Sequence, residues 1–409
     1  MLAKPAAPPC QGHLAPRLRP AKGTPDSARM QLSLVQFSRE LGWSLPLPAV
    51  DSERTLVTVF GASSFLDHSP PIEELLAAYP TAQVIGCSTS GEILGTEVHD
   101  ESLAVAITRF DAAELAGATV QVRRPEDSLA AGRELAEQLT EDDLRSILVL
   151  SDGLSVNGSE LVRGLNSVLP SRIVVTGGLA GDGDRFERTW VLSRGGTESG
   201  LVAAVGLYGD SLRIGHGSKG GWDIFGPERV VTRSRDNVLF ELDGRPALEL
   251  YKEYLGDRAE GLPATALLFP LALRTHAKAE KVLVRTVLAV DEATQSMTFA
   301  GNVPQGSMAQ LMRANFERLI DGASEAAMHT QATSPSSGNT DTLAIAISCV
   351  GRRLILGQRT EEELEAALDA LPDGTRQVGF YSYGEISPYT TGQCDLHNQT
   401  MTLTTIAEA

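Results

Sequence analysis

Cysteine is scarce in this chain, with four residues (Cys10, Cys87, Cys349 and Cys394) among 409. They are scattered, with no Cys-x-x-Cys pair, so neither a disulfide framework nor a zinc knuckle is spelled out, and the usage suits a reducing cytoplasm. Histidine is also sparse, and no two of the seven stand at metal-ligand spacing. Positive charge is in deficit: the formal net charge is −17. Phosphate binding needs a basic face, so a nucleic-acid partner is excluded. Long apolar runs are missing too. The most apolar stretch, Leu262 to Leu273, is short and broken by Pro263 and Pro270, so no membrane span is expected. Residues 1–30 contain basic residues and prolines but no continuous apolar segment, which excludes a signal peptide and predicts a disordered leader, with Met30 as an alternative start.

What is present is repetition. Residues 84–93 read Val-Ile-Gly-Cys-Ser-Thr-Ser-Gly-Glu-Ile, and residues 378–386 read Val-Gly-Phe-Tyr-Ser-Tyr-Gly-Glu-Ile. Each is an apolar run closing on Ser-x-Gly-Glu-Ile. Ahead of the first stand a β-rich run, Thr55 to Phe60, and a helical pattern, Pro71 to Tyr79. Ahead of the second stand Leu343 to Cys349 and a helix from Thr360 to Leu371, where Thr360 and Glu363 have capping-box spacing. A looser third copy runs from Ile147 through a helix at Gly158 to Leu169, to a strand ending in Thr176-Gly177-Gly178.

Repeated strand–helix–strand units predict a mixed α/β (α+β) fold, a two-lobed layered sandwich of mixed sheets covered by helices. We expect residues 1–51 to be the leader plus an amphipathic helix, Leu32 to Leu41, residues 52–240 to be one lobe and residues 241–409 the other. Further expectations are a helical connector at Asp236 to Tyr254, a strand at Ala266 to Leu268, a helix at Met308 to Ala327 and a mobile loop at Thr330 to Asp341.

Several motifs invite chemistry. Gly215-His216-Gly217-Ser218-Lys219-Gly220 matches a dinucleotide fingerprint by letter, but Gly221 to Pro227 cannot start the helix that would receive the pyrophosphate. Gly177 to Gly183 offers either an anion nest or a set of tight turns. Gly86 to Gly91 approaches a nucleophile elbow with its second glycine one residue late, and Cys87 is either a nucleophile or packing. Glu92 and Glu385 either face one another across a ligand cleft or hold their own turns. His397, in a polar cluster before the last strand, is either a ligand contact or a structural hydrogen-bonder. Arg285, Arg352 and Arg353 are strand-end cations that could neutralise a ligand carboxylate or stay solvated.

The ordered set Gly86 to Ile93, Gly177 to Asp182, Leu242-Asp243-Gly244-x-Pro246-Ala247, Gly379 to Ile386 and His397-Asn398-x-Thr400 resembles the FIST family over residues 52–407. The resemblance implies an N-terminal and a C-terminal FIST domain and a sensory, signal-transducing role, with amino-acid-like small molecules as ligands. Mapped onto the repeated loops, it implies a ligand site at Ser88, Thr89, Gly91, Glu92, Gly177, Gly178, Tyr383, Gly384, Glu385, His397 and Asn398. It assigns no catalytic residue and no metal. It also implies an alternative, a haem-binding nitric-oxide sensor with His397 as axial ligand; a cysteine- or carboxylate-dependent enzyme is a second. No kinase, cyclase or receiver segment is fused to the chain, so the output is expected to pass through a separate cytoplasmic partner such as a histidine kinase.

Overall fold

The computed structural model describes residues 30–409 except 68, 263, 277, 278, 280, 334–340, 390 and 391. Residues 1–29 of the expected leader and residues 334–340 of the loop expected at Thr330 to Asp341 lie outside the described residues, whereas Thr330 to Thr333 are the last turn of a helix rather than loop.

Three stretches of chain follow one plan. The first holds β1 (Gln31–Ser38), β2 (Gly42–Trp43), β3 (Thr55–Gly61), α1 (Pro70–Ala78), β4 (Gln83–Ser88), β5 (Glu92–Leu94), β6 (Glu97–His99) and β7 (Ser102–Arg109). The second holds β8 (Glu114–Gln121), α2 (Ser128–Leu139), β9 (Leu144–Ser151), α3 (Gly158–Asn166), β10 (Val174–Leu179), β11 (Val191–Ser193), β12 (Gly196–Glu198) and β13 (Leu201–Tyr208). The third opens with β14 (Leu212–Lys219) and is then interrupted by an insert. This comprises β15 (Asp223–Arg235), β16 (Val238–Leu242), β17 (Arg245–Pro246), α4 (Ala247–Leu255), β18 (Leu271–Arg274), β19 (Leu283–Arg285), β20 (Val287–Asp291), β21 (Ser296–Phe299) and β22 (Met308–Arg313). The third stretch resumes with α5 (Phe316–Thr333), β23 (Thr342–Cys349), α6 (Val350–Leu356), α7 (Thr360–Asp369), β24 (Thr375–Ser382), β25 (Gly384–Pro388), β26 (Cys394–His397) and β27 (Met401–Glu408).

Each stretch builds a sheet around a parallel pair joined through helix: β3 with β4, β9 with β10, β23 with β24. The hairpin that follows each pair leaves its own sheet. Hairpin β5–β6 joins β24, hairpin β25–β26 joins β10, and hairpin β11–β12 joins β4. The sheet orders are therefore β1-β7-β3-β4-β11-β12, β8-β13-β9-β10-β25-β26 and β14-β27-β23-β24-β5-β6, with β2 on the outer edge of β1. Each sheet gives its hairpin to one neighbour and receives one from the other, so the exchange closes into a ring.

The three sheets enclose a shared core. Leu56 and Phe60, Leu148 and Leu150, and Ile345, Ile347 and Phe380 all meet there, and the rings of Phe60 and Phe380 stack at 4.8 Å. The opposite strand faces pack outward on helices, as Val149 does with the α2–α3 layer and Ala344 and Ala346 with α5 and α7. Burial on both faces explains why these strands read as continuous apolar runs. The insert has its own core around Val231, Leu248 and Phe299. Among the described residues no helix is long and apolar enough to cross a membrane.

The expected helix at Leu32 to Leu41 is instead strand β1, paired residue by residue with β7. Leu32 faces the shared core and Val35 the outer layer, so the three-residue spacing that suggested one helix face belongs to two faces of a strand. The expected helix at Met308 to Ala327 divides into β22 and α5, and the expected connector at Asp236 to Tyr254 into β16 and α4, which begins after Pro246. The strand placed at Ala266 to Leu268 is a 3-10 turn, with β18 following it. Of the glycines of the fingerprint-like stretch, Gly215 and Gly217 lie in β14 and Gly220 directly follows it. A Cβ on Gly217 would meet the Ala326 carbonyl at 1.9 Å, so the strand glycines let α5 lie against β14.

Candidate functional site

The repeated turns lie together at one end of the three parallel pairs. The Ser90 amide donates to the Tyr381 carbonyl and the Tyr381 amide to Gly91, while Gly181 and Tyr383 donate to Ser88 and Leu179. The Ser90 hydroxyl accepts from the Gly183 amide at 3.0 Å. All three crossover ends are thus sewn to one another.

The strand glycines have a shared reason. Gly86, Gly177 and Gly379 occupy one register, opposite Val59, Val149 and Ala346. A Cβ on each would stand 2.3, 1.8 and 1.7 Å from the carbonyl oxygen of that partner. Gly91, at φ +132°, has the Arg353 guanidinium where its Cβ would be. Gly178 and Gly384 are buried strand residues.

Glu92 and Glu385 occupy equivalent positions, paired with Phe380 and Gly178 respectively. Each is locked by hydroxyls and one amide. Thr89 Oγ1 donates to Glu92 at 2.5 Å, while the Ser102 hydroxyl and amide donate at 2.9 and 3.2 Å. Ser382 Oγ donates to Glu385 at 2.8 Å, and the Thr400 hydroxyl and amide donate at 2.8 and 3.2 Å. Burial pushes both carboxyls up to about 8 despite these bonds, so each holds a proton at neutral pH. In the third copy the equivalent position, opposite Cys87, is Val191. There Asp152, from the loop after β9, accepts from Thr189 Oγ1 at 2.7 Å and from the Gly200 amide at 3.1 Å. Repeat spacing could not find that carboxylate, because it comes from a different loop.

Ser88 Oγ accepts from the Trp190 amide at 3.0 Å. Gly177 to Gly183 does not leave a free anion nest, because the amides of Ala180, Gly181 and Gly183 are taken by the Ser151 carbonyl, the Ser88 carbonyl and the Ser90 hydroxyl. Asp182 takes the amides of Phe186, Glu187 and Arg188 at 2.9–3.0 Å and receives the Tyr383 hydroxyl. Burial raises the Asp182 carboxyl, but these donors outweigh it and hold the group below its ordinary value. Asn398 donates from Nδ2 to the His397 carbonyl.

His397 is buried, with Nε2 2.9 Å from the Ser387 carbonyl and its ring stacked on Tyr389. Burial pushes it down to about 4, so the imidazole is neutral. Arg285 is also buried and donates to the carbonyls of Asn302, Val284 and Leu396. Arg352 forms a buried pair with Glu363 at 2.7 Å, and Arg353 bonds Asp100 and Ser90. Glu363, through Arg352, Ser348 and Tyr381, is turned into the fold rather than back to its helix amides, and the Thr360 hydroxyl donates to Gly357 instead, so the expected capping box is not formed. Cys87 is fully buried and its thiol is pushed well up, which withholds the thiolate a nucleophile needs.

A cavity of about 310 Å³ opens beside this cluster, between the three-sheet body and the insert. The body contributes Gly153 to Gly158 at the head of α3, Cys349 to Gly351 at the head of α6, and Tyr383; the insert contributes Asn237, Thr286 and Phe299 among others. Phe186 stacks on Tyr383 at 4.5 Å and also lines it. Of the residues singled out from sequence, Tyr383 alone reaches this cavity. A second, polar cleft of about 670 Å³ takes in Ser90, Arg185 and Arg353. Glu92, Glu385, His397 and Asn398 line neither. Chain order hid the cavity: its insert wall comes from residues that no repeat or motif marked.

The FIST N domain model matches residues 55–245 and the FIST C domain model matches residues 247–388. The chain belongs to the FIST family. FIST domains are sensory and signal-transduction domains. No curated protein matches the chain. The boundary between the two FIST domains falls at β17, inside the insert, so the N-terminal domain carries two of the repeated stretches and the C-terminal domain most of the third.

Haem, which the family resemblance implies as an alternative cofactor, fits neither at His397 nor in this cavity. His397 has its Nε2 committed to Ser387 and does not line the cavity. The cavity's one sulfur, Cys349, is buried and accepts amides from Gln399 and Gly351, and burial drives its thiol far above the ordinary range.

Proposed function

We propose that this FIST protein is a sensor that takes a small ligand into the cavity between insert and body and passes its occupancy to a separate signalling partner, such as a histidine kinase, in the cytoplasm. The observation that carries this reading is the cavity's position. It touches the heads of α3 and α6, the Tyr383 turn and the insert at once, so a ligand there would bias how the insert seats on the body. The seating is polar and adjustable: Asn302 bonds Ser159 and Glu160 at the head of α3, and Lys281 pairs with Asp395. The volume lies at the lower end of the ligand-pocket range, about 300–1,000 Å³.

Within this reading Tyr383, with Phe186, meets the ligand, and Glu92 and Glu385 act as locks of the turns that carry it. Binding rather than turnover is favoured, since the cavity holds no general base and its thiol stays protonated. The common strand plan of the three sheets supports an origin in one repeated unit.

The test is a thermal-shift screen of amino acids, nucleotides and small neutral compounds. A ligand at 100 times its Kd stabilises the fold by about 2.7 kcal/mol. Leu154→Trp, at a cavity-lining residue that is 38% exposed, is expected to abolish the shift while leaving the unliganded Tm unchanged. A full shift in that variant would refute the cavity as the site.

A further inference from the structure

We infer that the ligand of this cavity is an uncharged, largely apolar molecule of one or two rings. The inference rests on the proposed cavity site and adds the chemistry of its occupant.

Charge decides first. Among the described residues lining the cavity none is Asp, Glu, Lys, Arg or His. A bound ammonium would have no carboxylate and a bound carboxylate no cation, and an unpaired charge in such a setting costs several kcal/mol. The head of α3 does not rescue an anion. Asn157 Oδ1 already accepts the amides of Ser159 and Glu160 at 3.1 and 3.2 Å, and the Leu161 amide is taken by the Asn157 carbonyl. An amino acid, charged at both ends, is therefore a poor occupant.

The polar groups decide next, because most are already engaged. Tyr383 gives its hydroxyl to Asp182, Asn157 donates to Asn302 and Asn237 to the Phe299 carbonyl. The Thr286 hydroxyl has no hydrogen-bond partner among the described residues, but that oxygen presents almost no surface to the cavity, so it too offers a ligand no ready hydrogen bond.

Size and shape complete the description. A dry apolar cavity of about 150 Å³ holds benzene, and this one, at about 310 Å³, is about twice as large. Its walls include Leu154, Val156, Leu179, Leu288 and Phe299. The Phe186–Tyr383 stack, with planes 15° apart, presents aromatic surface to a flat ring.

Indole and tryptophan share one ring system and differ by the zwitterion, so calorimetric titration of the full chain with both is the experiment. Indole is expected to bind, and tryptophan at least about 100-fold more weakly. Leu154→Trp and Leu288→Trp fill the cavity from opposite walls at partly exposed positions, and each should abolish binding. Tryptophan binding as tightly as indole, and lost in both filled variants, overturns the inference while the cavity site stands. Binding of either compound that survives both fillings, or no binding by either, overturns the inference, and the former takes the cavity site with it.

Discussion

At the scale of single residues, the strand glycines and the two turn glutamates make opposite demands on the sequence. Gly177→Ala and Gly379→Ala would drive a methyl group into a neighbouring strand carbonyl. We expect each to lower unfolding free energy by about 3 kcal/mol or more, against no more than about 0.5 kcal/mol for Gly195→Ala, where nothing lies closer than 3.5 Å. Urea denaturation of the three variants checks this. Glu92 and Glu385 instead set a pH dependence. Their folded-state values, about 8, stand above the ordinary value of about 4.3. The folded chain keeps protons that the unfolded chain releases, so this stability is complete below about pH 4 and is lost as pH rises towards 8. Each carboxyl contributes a fall of at most about 1.4 kcal/mol per pH unit. Glu92→Gln and Glu385→Gln should flatten the profile of urea midpoint between pH 5 and 8; an unchanged slope in the double variant would count against the shifted carboxyls. The sequence announced these residues through the repeated Gly-Glu-Ile, but not their roles, because a carboxylate facing a ligand and one facing its own turn are spelled alike.

At the scale of elements, α6 and α7 are held to their sheet by a charge pair rather than by caps. Arg352 and Glu363 are both fully buried, and Glu363 also receives Ser348 and Tyr381. Removing one partner strands the other charge, so Arg352→Met should cost about 3–5 kcal/mol. Adding Glu363→Leu should recover part of that loss, which thermal unfolding of the single and double variants would show. The same elements explain which readings from sequence held. Strands buried on both faces, such as β3 and β23, and helices with one apolar stripe, such as α3, carry strong local patterns. Strand β1 does not, because its apolar residues serve two different cores. Thr360 and Glu363 have capping-box spacing, yet a buried arginine at hydrogen-bond distance outcompetes a helix amide for the carboxylate.

At the scale of the whole molecule, the division between the two FIST domains cuts across the hairpin exchange. Residues 30–245 contain β9 and β10 but not the hairpin β25–β26 that borders β10. Residues 247–409 contain β23, β24 and β27 but neither β14 nor β5–β6 on the flanks. We expect each fragment alone to lack a cooperative thermal transition, and co-expression of the two to restore one. A cooperative transition in either isolated fragment would show that the exchanged hairpins are dispensable.

The exchange ring also bears on how the chain is made. Strand β10 is translated early, but the strand that covers its edge begins only at Gly384. At about 5–20 residues per second, that edge waits for roughly 10–40 s on the ribosome. An uncovered, strongly apolar strand edge recruits other strands during such an interval. Newly made chains of this protein should therefore depend on chaperone protection until their last residues emerge, and slowing translation downstream of residue 208, after the second stretch is complete, should increase their loss to aggregation.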